Sequence, residues 1–276
     1  MKQILTVHNL GISFSQYTKG LRRRSLKVIA NLDIELHEGE ILAIVGASGS
    51  GKSLLAGAIL GILPENSSLE GEIYYNGQLL SQEDKEKIRG KEIALIPQSV
   101  NYLDPLQKVG RQIGISIQKN RRLRTGGSDE SRDKAIENDL PKDKVIENIL
   151  QKYGLEKAVA GYYPFQLSGG MARKVLLATA LTSGAKVIIA DEPTPGLDEP
   201  SLNEVLKDFR GLADGGCSIL MITHDIEAAL KIADKVAIFY AGTTLEVANT
   251  RDFDGGAGSD SSSGDGLLRH PYSKAL

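Results

Sequence analysis

No stretch of the 276 residues approaches the ~20 consecutive apolar residues needed to cross a bilayer, which excludes a helical membrane span. Cysteine is almost absent. Cys217 stands alone, so neither an intrachain disulfide nor a cysteine-built metal cluster can form. One thiol beside the apolar run Ile219-Leu220-Met221-Ile222 reads as buried and inert, and the composition suits a reducing compartment. Neither sign of charge predominates: 33 basic residues face 35 acidic ones, for a net charge of -2. That balance gives no argument for a nucleic-acid partner, and none is expected. The tight basic clusters, Arg22-Arg23-Arg24 and Arg121-Arg122, read as solvated loops. The opening residues Met1 to Thr6 hold no long apolar core or cleavage signal, so a cytoplasmic protein is expected.

What is present is enough apolar material, 41% of residues, for one domain or one domain with a subdomain. Residues 4–14 and 28–36 alternate roughly and carry β-branched side chains, which predicts strands. Ile41-Leu42-Ala43-Ile44-Val45 is a continuous apolar run and suits a buried central strand. A helix is expected over 52–63, ended by Pro64, with short strands at 72–76 and 93–97. From 100 to 165 the apolar spacing turns helical, as in Val145, Ile146, Ile149, Leu150 and Tyr153. The polar stretch 120–143 inside it reads as a mobile loop.

Alternation then returns. Helices are expected at 167–183, 200–213 and 226–233, with strands at 186–190, 218–223 and 235–240 between and after them. This pattern argues for a largely parallel sheet covered by helices. Residues 254–266 are low in complexity and read as a tether.

Gly46-Ala47-Ser48-Gly49-Ser50-Gly51-Lys52-Ser53 fits G-x-x-x-x-G-K-[ST] and sits between the buried strand and a helix. Glycines let the backbone wrap phosphate closely, and the helix start adds positive potential. Lys52 would reach the terminal phosphates, and the Ser53 hydroxyl would ligate Mg²⁺. Chance produces this pattern in such a chain on the order of one time in a hundred, so ATP binding is the expectation. Val187-Ile188-Ile189-Ala190 ends in Asp191 and Glu192. Two carboxylates after a buried strand cost desolvation unless a cation is near. Beside a P-loop, Asp191 can hold Mg²⁺ and Glu192 can polarise the attacking water.

Leu167-Ser168-Gly169-Gly170-Met171 opens a predicted helix. Alone, the tetrapeptide would be read as a serine cap with two glycines opening a helix. In this company it resembles the signature of ABC-type ATPases. The family's other elements follow in order: Gln98 resembles the Q-loop glutamine, Pro195-Gly196-Leu197-Asp198 the D-loop, and His224 before Asp225 the switch histidine. Met171, Asn101-Tyr102-Leu103-Asp104-Pro105 and His270-Pro271-Tyr272-Ser273 resemble the oligopeptide, dipeptide and nickel importer class. Ala172, Lys174 and Pro195-Gly196 depart from the usual pattern.

The resemblance implies a P-loop NTPase α/β fold with an N-terminal antiparallel β subdomain and an inserted helical subdomain. The ATPase domain would span 1–250, its helical part about 100–165, with 251–276 a flexible tail. It further implies two such domains packed head to tail. ATP would lie between the 46–53 cradle of one and Ser168, Gly169 and Gly170 of the other. Gln98 would sense Mg²⁺ and water, and His224 would hold the γ-phosphate and position Glu192. Adenine would stack on Phe14 or, second, on Tyr17. Implied partners are transmembrane permease subunits, a second ATPase subunit like or unlike this one, and indirectly an extracytoplasmic solute-binding protein. The chain would sit on the cytoplasmic face of the membrane. A soluble ABC-type ATPase not coupled to transport is the alternative.

Overall fold

The computed structural model describes residues 2–17, 23–125, 143–253, 268 and 270. The expected tether at 254–266 therefore lies outside the described residues. In chain order the elements are strands β1 (Gln3–Tyr17), β2 (Arg23–His37) and β3 (Ile41–Val45), helix α1 (Lys52–Leu60), and strands β4 (Ser67–Tyr75) and β5 (Gln78–Leu79). Helix α2 (Gln82–Ile88), strand β6 (Ile93–Ile96), and helices α3 (Val109–Thr125), α4 (Asp143–Lys152) and α5 (Gly169–Leu181) follow. The chain continues through β7 (Val187–Asp191), α6 (Glu199–Asp214), β8 (Ser218–Thr223), α7 (Ile226–Ile232), β9 (Lys235–Tyr240) and β10 (Thr243–Asn249). Among the described residues no helix is long and apolar enough to cross a membrane.

These elements form two compact units, Met1–Lys87 with Arg210–Leu276, and Ile88–Phe209. In the first unit the strands lie in the order β5-β4-β1-β2-β10-β9-β3-β8. β1, β2, β4 and β5 pair antiparallel, whereas β3 runs parallel to both β8 and β9. Every residue of β3 and β8 is buried. Their apolar runs fit that position because a strand covered on both faces needs no polar alternation. The sheet is thus mixed where the alternation pattern suggested a largely parallel one. The antiparallel half pairs β1 with β2 and with β4, and β4 with β5, and antiparallel neighbours need no helical crossover.

Helix α1 stops earlier than Pro64 suggests. Gly61 at φ 65° caps it, and the Ile62 N–H donates to the Gly57 carbonyl at 2.9 Å. A left-handed glycine satisfies the last carbonyls before the proline is reached. β9 and β10 join through Ala241 and Gly242, both at positive φ, the conformation a tight hairpin turn of matching twist requires.

In the second unit β6 and β7 pair parallel, Ile96 opposite Ala190. Helix α3 continues to Thr125, so residues 120–125 are helical rather than part of a polar loop, and Asp143 opens α4. Residues 126–142 lie outside the described set. Ile146 and Leu150 on α4, and Tyr153 just after it, are buried as the spacing predicts, while Val145 is exposed. The Tyr153 hydroxyl donates to Asp208 at 2.5 Å, and Lys152 pairs with the same carboxylate, tying α4 to α6. Burial and then Asp208 push the tyrosine well above its usual range. Cys217 is partly shielded, and burial pushes its thiol up to about 12, consistent with an inert side chain.

Candidate nucleotide site in two halves

The first half grows out of the β3–α1 connection. β3 pairs with β8 in parallel register, Val45 opposite Thr223. Gly46 and His224 therefore leave the sheet side by side at the carboxyl ends of neighbouring strands, where open α/β sheets bind ligands. Gly46 admits no side chain, because a Cβ there would lie 2.1 Å from the Phe239 carbonyl oxygen of β9. Gly49 and Gly51 adopt φ of 79° and 97°, so the loop curls in a way L side chains resist. We expect Gly46→Ala to destabilise the fold by about 1–3 kcal/mol, since the obstacle is backbone and cannot rotate away. A denaturant midpoint equal to that of the parent, at equal slope, would contradict the close approach.

The loop delivers α1 with Gly51 at its cap, no side-chain cap hydrogen bond and no acidic residue in its first turn. Its first turn thus sets no carboxylate of its own against the helix's positive end. Lys52 is 5% exposed, and its ammonium donates to the carbonyls of Gly46 at 2.7 Å and Ala47 at 2.8 Å. The cation thus lies folded into its own cradle. Ala47, Ser48, Gly49 and Ser53 are exposed, and Ser50 is half-buried. His224 is exposed as well, and Asp225 after it caps α7 by accepting from the Ala228 N–H at 2.9 Å. Phe14 is half-buried within β1, opposite Leu26 of β2. The Tyr17 side chain is outside the described set.

The second half lies at the carboxyl ends of β6 and β7. Their parallel register brings Gln98, after β6, and the pair Asp191–Glu192, ending β7, out on the same edge. Asp191 and Glu192 are both 6% exposed, and Gln98 is exposed. Glu192 adopts φ 48°, a left-handed conformation that costs a non-glycine residue of order 1–3 kcal/mol and clusters at functional sites. Ser168 caps α5 by accepting from the Met171 N–H at 3.3 Å. Ser168 and Gly169 are exposed at that helix start, and the first turn holds no acidic residue.

Two side chains to which the sequence reading gave no role organise this half. Arg173 donates to the Glu192 carbonyl at 2.5 Å and to the Gln98 carbonyl. Burial lowers the guanidinium below its usual value, opposed by the charges of Glu192 and Asp191. Lys174 pairs with Asp198 at 2.8 Å, and that bond, with further ones to Ser201, holds the Asp198 carboxyl well below its usual range. Position 173 gave one sequence signal, a charge set among Ala172, Val175, Leu176 and Leu177, all of which are buried.

Set beside known proteins, residues 29–195 match the family model described as ABC transporter. The match takes in the glycine-rich loop, Gln98, the Ser168 motif and both acids. The chain is 35% identical over 256 residues to the oligopeptide transport ATP-binding protein OppD of Bacillus subtilis, covering 88% of this chain and 65% of that protein. It thus spans just under two thirds of that relative's length. The metal-staphylopine import system ATP-binding protein CntD of Staphylococcus aureus is 32% identical, with 79% of this chain and 78% of that one covered. Among solved structures, the dimeric post-hydrolysis state of the ATP-binding cassette MJ0796, bound to ADP and Pi, superposes with a TM-score of 0.71 at 25% identity, over 90% of this chain and 99% of that one. Family model, relatives and fold agree with the glycine-rich cradle and the acidic strand end: the chain belongs to the ABC transporter family, as an ATP-binding cassette.

Proposed function

We propose that the chain binds and hydrolyses ATP to energise import of a solute of the peptide or metal-chelate class through separate permease subunits. The observation that carries this reading is the exposed Ser168-Gly169 start of α5. A helix start with no acid in its first turn, open to a second molecule, suits the γ-phosphate of a nucleotide held by another cassette. The peptide and metal-chelate classes are supported by the names of the relatives.

In this reading Lys52 turns from its own loop carbonyls to the β- and γ-phosphates, and the N–H groups of 46–53 line the cradle. Ser53, Gln98 and Asp191 would hold Mg²⁺; hydroxyl, amide and carboxylate oxygens are the hard donors that ion prefers. When bound, the ion supplies positive charge against the phosphates. Glu192 takes the proton of the attacking water, and His224 holds the γ-phosphate. Phe14, or Tyr17 after it, stacks on adenine. The chain is organised as an ATPase domain over 1–250 with a tail beyond, and its helical block at 100–165 receives the transmembrane subunits. It sits peripherally on the cytoplasmic face, paired with a like or unlike ATPase subunit, and an extracytoplasmic solute-binding protein selects the cargo.

Ser168→Glu tests the head-to-tail arrangement. A carboxylate at the helix start repels the partner's γ-phosphate, so phosphate release falls at least about 100-fold while ATP affinity stays that of the parent. Parent-level turnover in this variant would remove Ser168 from the composite site. Co-purification from membranes checks the transport half of the reading, because a coupled ATPase retains permease subunits whereas an uncoupled one retains none.

A further inference from the structure

Arg173 stands on α5 five residues beyond Ser168, 9% exposed, with its two terminal nitrogens on two different loops. One loop carries Gln98 and the other Glu192. Both contacts are to main-chain carbonyls, so they fix where each backbone runs without occupying either functional side chain. The contact at Glu192 falls on a residue held at φ 48°. A left-handed non-glycine backbone persists where its surroundings over-determine it, and the guanidinium supplies such a restraint. The planar fork is suited to spanning two acceptors in fixed directions, which a single ammonium cannot do.

We propose that Arg173 is a positioning residue for hydrolysis. By clamping the Gln98 and Glu192 carbonyls to the helix that begins at Ser168, it sets the direction in which the Glu192 carboxylate meets the attacking water. The inference rests on the reading of Glu192 as the base. Its signature is kinetic: misdirecting a base alters the chemical step and leaves nucleotide affinity alone.

The test compares Arg173→Lys and Arg173→Gln with the parent, and each of them with and without Glu192→Gln. Turnover and KM are read by phosphate release with MgATP, and folding by thermal melting. Both Arg173 variants should lose up to about 100-fold in kcat with KM and melting temperature near those of the parent. In the Glu192→Gln background the same replacements should cost nothing further in single-turnover rate, because the base they aim is already gone. Three outcomes overturn the proposal. If Arg173→Lys or Arg173→Gln turns over like the parent while Glu192→Gln is inactive, Glu192 is the base and Arg173 does not aim it. If the losses are additive, or track a fall in melting temperature, Arg173 is a structural anchor. If Glu192→Gln itself turns over normally, the base assignment fails first and the proposal falls with it.

Discussion

Lys52→Ala lowers the affinity for ATP by roughly 10- to 100-fold, the worth of one or two hydrogen bonds from a charged donor. The ammonium is the cation the loop itself supplies, and in its present position it donates to the Gly46 and Ala47 carbonyls. Phosphate oxygens are stronger acceptors for a charged donor than those carbonyls, so exchanging one for the other is favourable. The same replacement leaves the Gly46 and Ala47 carbonyls without this donor, at a cost to stability of about 1–3 kcal/mol. Titration calorimetry on protein verified as folded separates the two effects. Equal affinity in parent and variant would mean that the phosphates are held by backbone alone.

Glu192→Gln reduces turnover by about 100- to 10,000-fold, the range expected for loss of a general base, while ATP still binds. The replacement is nearly isosteric, and the contact from Arg173 reaches the main-chain carbonyl, so the loop keeps its restraint. With hydrolysis stalled, the ATP-bound pair of cassettes accumulates, and size-exclusion chromatography with and without MgATP reads its population. Hydrolysis at the parent's rate would show that some other group takes the proton.

Much of this molecule could be read from its residues because the informative parts are continuous. The strands β3, β8 and β9 are apolar runs whose bounds the sequence reading matched, and the glycine-rich loop carries its mechanism in its spacing. Elements whose stability comes from their setting were harder to see. α2, QEDKEKI, has almost no apolar face, and β10 is half-exposed along most of its length, so neither shows a clear period. β5 is two exposed residues paired to β4. The last turns of α3, rich in arginine, looked like a solvated loop because charge was weighed above helix propensity. In the site, residue types announced Lys52, Asp191 and Glu192, whereas the work of Arg173 depends on two carbonyls far away in sequence. Nothing in a string of letters tells which main-chain oxygens a buried guanidinium will meet.

The floor beneath Gly46 is a peptide oxygen, and every amino acid carries one. Changing Phe239 to a smaller side chain would leave that oxygen where it is, so no replacement there can make space for a methyl group at 46. Tolerance at this point of the cradle is governed by the path of β9 alone, and a compensating change would have to move a whole strand.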